Sequence, residues 1–178
     1  MKKAILLVFL LCSTFAFANS PNQVTVGTIE RNDSQIITVR TNPIGDISIS
    51  FFGSLLSFSA GESARFERAI AKGLELIAAV NDNNVQVAYS RSLGSIPSSK
   101  RGGRISFTFS ANRTDSPPSL HGAVTAGTNA RSNPVRWALY EDELRELQQL
   151  LSTARTTQGD LSEEIALLNN LFKDWSLY

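Results

Sequence analysis

Apolar and polar residues alternate with period two through most of the chain, and the alternation switches to a period near 3.6 in three places. "VTVGTIE" and "QIITVRT" are β-branched runs separated by Asn32 and Asp33, a turn signal. After "NPIG", the segment "DISISFF" alternates Ile47, Ile49 and Phe51 with Ser48 and Ser50, which predicts a half-buried strand. Gly53-Ser54 fits a two-residue type II′ hairpin returning into "LLSFS". Ser59 then stands three residues before Glu62, the spacing of a capping box. The helix it opens carries Phe66, Ile70, Leu74 and Ile77 on one face.

The same order recurs with longer loops. "NVQVAYSRSL" alternates Val85, Val87 and Tyr89 with polar neighbours, and "RISFTFSA" alternates Ile105, Phe107 and Phe109. "LHGAVTAG" is a weaker, Gly/Ala-rich strand, and "PVRWALY" puts Val135, Trp137 and Leu139 on one face. A helix from Glu141 presents Leu144, Leu147, Leu151 and Ala154. Gly159 ends it, and Asp160 with Glu163 caps one more helix bearing Leu161, Ile165, Leu168, Phe172 and Trp175. The expected fold is therefore α+β, with antiparallel sheets built from two ββββα units, a possible pseudo-repeat, and a C-terminal helix. Unit one spans about 24–80, unit two about 84–156 and the helix about 160–175, all within one domain over 19–178. Both helical stripes are expected to close the core, and Trp175, Leu177 and Tyr178 to pack on the domain, a dimer mate or a partner.

The first 18 residues follow a different pattern. Lys2 and Lys3 precede an apolar run ending in Ala16, Phe17 and Ala18, the layout of a secretory signal peptide cleaved after Ala18. The run is shorter than the roughly 20 residues that span a bilayer. A periplasmic or secreted bacterial protein is expected. Cys12, the only cysteine, lies inside this segment, so no disulfide or cysteine metal site is expected beyond it.

Charge is polarised along the chain. Between Asn84 and Tyr140 the cations Arg91, Lys100, Arg101, Arg104, Arg113, Arg131 and Arg136 meet a single acid, Asp115. From Glu141 onward eight acids meet Arg145, Arg155 and Lys173. Lys100, Arg101, Arg104, Arg113, Arg131 and Arg136 are accordingly the candidate binding residues, on a basic sheet edge and its loops. Charges beside Gly102-Gly103 also suit a solvated hairpin tip. Phe107 and Phe109 share the apolar face of their strand and are expected in the core, not on an exposed base-stacking platform.

Catalytic chemistry is poorly supplied. His121 is the only histidine, so a hydrolase triad has to use it, and the nearby Ser116 and Ser119 lie in no GxSxG context. Glu62, Glu67 and the acids from Glu141 to Glu146 read as helix-terminal or solvent-facing groups. No phosphate-cradling P-loop spacing occurs. No catalytic residue, metal site or cofactor is assigned, and the expected function is a non-enzymatic envelope binding module. Its partner is another protein, a second copy, or an anionic ligand such as nucleic acid, lipopolysaccharide or an acidic protein.

The doubled order of four strands and a helix resembles the ββββα units of the Whirly and Pur-type single-stranded nucleic-acid-binding proteins, which pair two such units. The resemblance covers element order over most of residues 19–178. It implies a nucleic-acid or other polyanionic partner as an alternative function, and a hydrolase using His121 is the other alternative. No residue motif carries a binding site across, and the export signal departs from those intracellular families.

Overall fold

The computed structural model describes residues 23–85, 87–100, 102–111, 116–126 and 133–172. The expected signal segment, Arg101, Arg113, Arg131 and the end of the chain from Lys173 lie outside the described residues. Four strands, β1 (Val24–Arg31), β2 (Ser34–Thr41), β3 (Ile47–Phe51) and β4 (Ser54–Phe58), lead into α1 (Ala60–Asp82). Four more, β5 (Tyr89–Pro97), β6 (Gly103–Ala111), β7 (Ser119–Ala126) and β8 (Val135–Leu139), lead into α2 (Glu141–Phe172). Each quartet is an antiparallel meander in chain order, so the α+β fold uses the ββββα arrangement twice.

Tight turns set the register of unit one. Arg31 pairs with Ser34 across Asn32 and Asp33, both at positive φ (51° and 61°), the type I′ geometry whose twist matches that of the strands. The β3–β4 turn departs from expectation by one residue. Phe51 pairs with Ser54, and the turn residues are Phe52 and Gly53 at φ 47° and 82°, giving type I′ where Gly53-Ser54 suggested II′. Phe52 is thereby turned outward and exposed, while Phe51 stays fully buried.

α1 is the central element of the core. Ser59 caps it, and Glu62 at its third position reaches back to accept from the Ser59 N–H at 2.9 Å. Phe66 of α1 packs against Phe51 of β3 at 6.0 Å, Phe58 of β4 at 5.5 Å and Phe107 of β6 at 5.5 Å, between ring centroids. One ring therefore touches both sheets. α1 continues across β5, β6 and β7, whereas α2 lies across β1 and β2 and against α1. Each helix thus covers the other unit's sheet, and the units share one core.

Two boundaries differ from the sequence reading. Val85 and Val87 precede β5 and are exposed, because the strand begins only at Tyr89 and runs to Pro97. The two expected C-terminal helices are one: α2 runs unbroken through Gly159. A helical glycine costs only about 1 kcal/mol relative to alanine. The Ser162 hydroxyl just beyond donates to the Pro43 carbonyl at 3.0 Å, tying the helix to the β2–β3 loop. Leu144, Leu147, Leu151 and Ala154 fill the core as expected, but Ile165 and Leu168, expected to close it, are exposed along with Leu167.

Candidate functional site

The two units are joined by a reciprocal device at their helix N-termini. Glu62 is the third residue of α1 and accepts from the Ser99 N–H at 3.2 Å and the Ser99 hydroxyl at 3.0 Å, in the β5–β6 hairpin. Glu143 is the third residue of α2 and accepts from Arg31, at the end of β1, through Nε at 2.7 Å and Nη2 at 2.6 Å. One edge of each sheet, β4 in the first and β8 in the second, is met by the same two hairpins. Ser98 Oγ donates to the Ser57 carbonyl at 2.8 Å and accepts from the Ser57 N–H at 3.1 Å, sealing β4. Arg31 Nη2 donates to the Ala138 carbonyl at 2.8 Å, sealing β8. Ser57 and Ala138 each precede their helix by three residues, so the repeat suggested by element order extends to individual hydrogen bonds.

These contacts relocate part of the basic stretch. Lys100 forms an ion pair with Asp46 of unit one at 3.2 Å, and Ser98 and Ser99 beside it are structural staples. Glu62 is buried, which opposes ionisation, but the donors from Ser59 and Ser99 outweigh that penalty and hold its carboxyl below the usual range.

The outward faces of the two sheets have similar chemistry but differ at their centres. On the first sheet Ser48 and Ser57 face each other across β3 and β4, with their hydroxyls 2.8 Å apart, and Gln23 Nε2 donates to Ser48 at 3.0 Å. Both serines are buried, at 1 % and 5 % exposure. Around this buried pair Thr38, Arg40 and Ser50, on the same face, are half-exposed.

The second face is open. Period-two alternation buries Ile105, Phe107 and Phe109 and turns Arg104, Ser106, Thr108 and Ser110 outward. The ladder sets Ser110 beside Ser90 and Ser119, Thr108 beside Ser92 and His121, and Ser106 beside Ser95 and Ala123, which is itself opposite Arg136. Ala123, a short side chain on the central strand β7, leaves a hollow of about 430 Å³ lined by Ser106, Thr108, Ser110, His121 and Arg136, among others. Gly122 lets the floor form, because a Cβ there would overlap the buried Trp137 ring, stacked on Phe51 at 4.9 Å.

The polar groups of this face are underused. Among the described residues, Ser106, Thr108 and Ser110 have no side-chain hydrogen-bond partner, and Arg104 and Arg136 pair with no carboxylate. Strands β5 to β8 contain no Asp or Glu. His121 is positioned by Ser119, whose Oγ lies 3.1 Å from Nε2. No carboxylate among the described residues meets the other ring nitrogen, and Ser119 is itself buried.

Of the six candidate binding residues, then, Arg104 and Arg136 stand on the open face, and Lys100 is engaged elsewhere. Arg101, Arg113 and Arg131 lie outside the described residues. Sequence reasoning missed the hydroxyls of Ser90, Ser106, Thr108 and Ser110 as site groups. Their shared parity with Arg104 was the available signal. No group of three or more His, Cys, Asp or Glu side chains poised for a metal occurs among the described residues. No described helix is long and apolar enough to cross a membrane. No protein-family model, curated protein or solved structure matches the chain.

Proposed function

We propose that the protein is an exported, non-enzymatic binding module of the bacterial envelope, and that it recognises an anionic partner with the outer face of its second sheet. The observation that carries this is the contrast between the faces. Arg104, Arg136 and the unpartnered hydroxyls of Ser106, Thr108 and Ser110 share a face that holds a hollow and has no carboxylate on its strands, while the Ser48 and Ser57 hydroxyls of the first sheet are bonded to each other and buried. Unpaired cations beside free hydroxyls attract and hydrogen-bond oxyanions. Export rests on the segment from Met1 to Ala18.

The test is capture from a cell-envelope extract at low and high salt with the purified protein as bait. Wild type is expected to retain a defined bound fraction that the Arg104→Glu, Arg136→Glu double variant loses. Undiminished capture by the double variant would remove this face from consideration. A fraction consisting of nucleic acid alone, shed steeply as salt rises, would instead favour the polyanion alternative. The aromatic side chains of β6 offer that alternative no stacking surface, because Phe107 and Phe109 are buried.

A hydrolase is the second reading, favoured by the hydrogen bond between Ser119 and His121. A buried nucleophile and a histidine without an orienting carboxylate among the described residues weigh against it. Hydrolysis of a fluorogenic ester by wild type, abolished in both Ser119→Ala and His121→Ala, would reverse the order of the two readings.

A further inference from the structure

Resting on the reading of this face as a recognition surface, we infer that the hollow over β6, β7 and β8 is a binding site for a phosphoryl group, presented as a phosphate ester. Ala123 faces Arg136 and His121 faces Ala138, so His121 and Arg136 are diagonal neighbours on one side of the β7–β8 ladder. Such positions are about 7–8 Å apart, close enough for one bound anion to meet both side chains. Thr108 stands beside His121, and Ser106 stands across Ala123 from Arg136. Four potential donors from three strands therefore line a space that the short Ala123 side chain leaves.

That arrangement selects among anions. A carboxylate has two coplanar oxygens, and one guanidinium fork satisfies both. Donors spread over three strands suit an anion whose oxygens project in three dimensions. The hydroxyls of Ser106 and Thr108 are uncommitted, and the Ser119 hydroxyl holds His121 through Nε2, leaving Nδ1 without a partner among the described residues. An uncharged sugar fits less well. Phe107 and Phe109 are buried in the core, and Trp137, at the floor of the hollow, is only 5 % exposed, too little to offer a stacking face. A soluble phosphate ester and a phospholipid headgroup present the same chemistry to the hollow, and the two sources are separable by experiment.

The purified protein is titrated calorimetrically with inorganic phosphate, glycerol phosphate and acetate, and sedimented with phosphatidylcholine vesicles with or without phosphatidic acid. Phosphate and glycerol phosphate are expected to bind saturably, with acetate at least about tenfold weaker. Arg136→Gln and His121→Gln are each expected to weaken phosphate by about tenfold, while Lys72→Gln, on the exposed side of α1, leaves it unchanged. Tighter binding of glycerol phosphate than of phosphatidic acid vesicles assigns a soluble ester, and the reverse assigns a lipid headgroup. Absence of saturable phosphate binding by protein with native circular dichroism overturns the inference, as does phosphate binding that Arg136→Gln leaves intact. If phosphate fails while the Arg104→Glu, Arg136→Glu variant still loses envelope capture, the phosphoryl assignment falls and the recognition face stands. If both fail, the face itself is wrong.

Discussion

The two units share their element order, their edge caps and their N-terminal glutamate staples, yet differ in what became of the outward sheet surface. In the first, the Ser48 and Ser57 hydroxyls are spent on each other and on Gln23. In the second, hydroxyls at matching parity remain uncommitted around a hollow. On the proposed reading, the Ser48 and Ser57 pair serves stability while the second face keeps its polar groups for a ligand. Buried polar groups must be paired to avoid a desolvation penalty, whereas exposed ones can wait in water for a partner at little cost.

The contrast depends on the units acting as one body, and the deepest cut is at Phe66. Its ring touches Phe51 and Phe58 of the first sheet and Phe107 of the second. Phe66→Ala is expected to cost about 3–5 kcal/mol. Chemical denaturation followed by circular dichroism and by tryptophan fluorescence should show both signals falling in one transition at lower denaturant. Two separated transitions would mean that the units fold independently and that the shared core is weaker than its packing suggests.

Gly122 tests the floor of the open face alone. A methyl group there overlaps Trp137, which the Phe51 ring pins from the other side at an interplanar angle of 7°. Gly122→Ala is expected to destabilise by about 2–3 kcal/mol, as overpacking in a closed core does. Thermal unfolding measures it, and an unchanged midpoint would show that the ring moves freely.

Smaller effects separate the two glutamate staples. Glu62→Gln replaces a buried acceptor by a group that is partly a donor, at an expected cost of about 1–2 kcal/mol. Arg31→Met breaks the more exposed pair with Glu143 and is expected to cost about 1 kcal/mol. The acid dependence sharpens the difference. Because the folded carboxyl of Glu62 titrates below its unfolded value, its contribution is complete above the unfolded pKa, ordinarily near 4.3, and is lost as pH falls through the lower folded value. Stability measured across that acidic window should decline less steeply in Glu62→Gln than in wild type. An identical slope would mean that the Ser59 and Ser99 donors do not favour the charged form.

Much of this organisation was readable in the chain. Alternation in "DISISFF" and "RISFTFSA" separated the two faces of each strand, although Ser48, on the outward side of the expected half-buried strand, is buried against Ser57 and Gln23, and the Ser59–Glu62 spacing located the start of α1. Local pattern could not show that each helix crosses the other unit's sheet, since that choice is made by tertiary packing. Nor could it distinguish Ser98 and Ser99 from an ordinary polar loop, because their partners Ser57 and Glu62 are about forty residues away. The turn at Phe52 went unread because an aromatic residue at positive φ contradicts local preference and is sustained by the flanking ladder. Gly159 was over-read as a stop. The hollow lay hidden in what had looked like the weakest strand: the Gly/Ala-rich composition of β7 removes bulk from the face and makes the space.

The most direct measurement compares the two faces in one assay. Long-chain polyphosphate serves as an anionic probe, titrated against wild type, the Arg104→Glu, Arg136→Glu variant and Arg40→Glu, where Arg40 stands opposite Ser48 on the outward face of the first sheet. If the second face is the recognition surface, the double variant loses binding by at least about tenfold, while Arg40→Glu stays within about twofold of wild type. Equal losses from both faces would show that the probe responds to overall charge, and that the open hydroxyl-lined sheet has no special claim as the site.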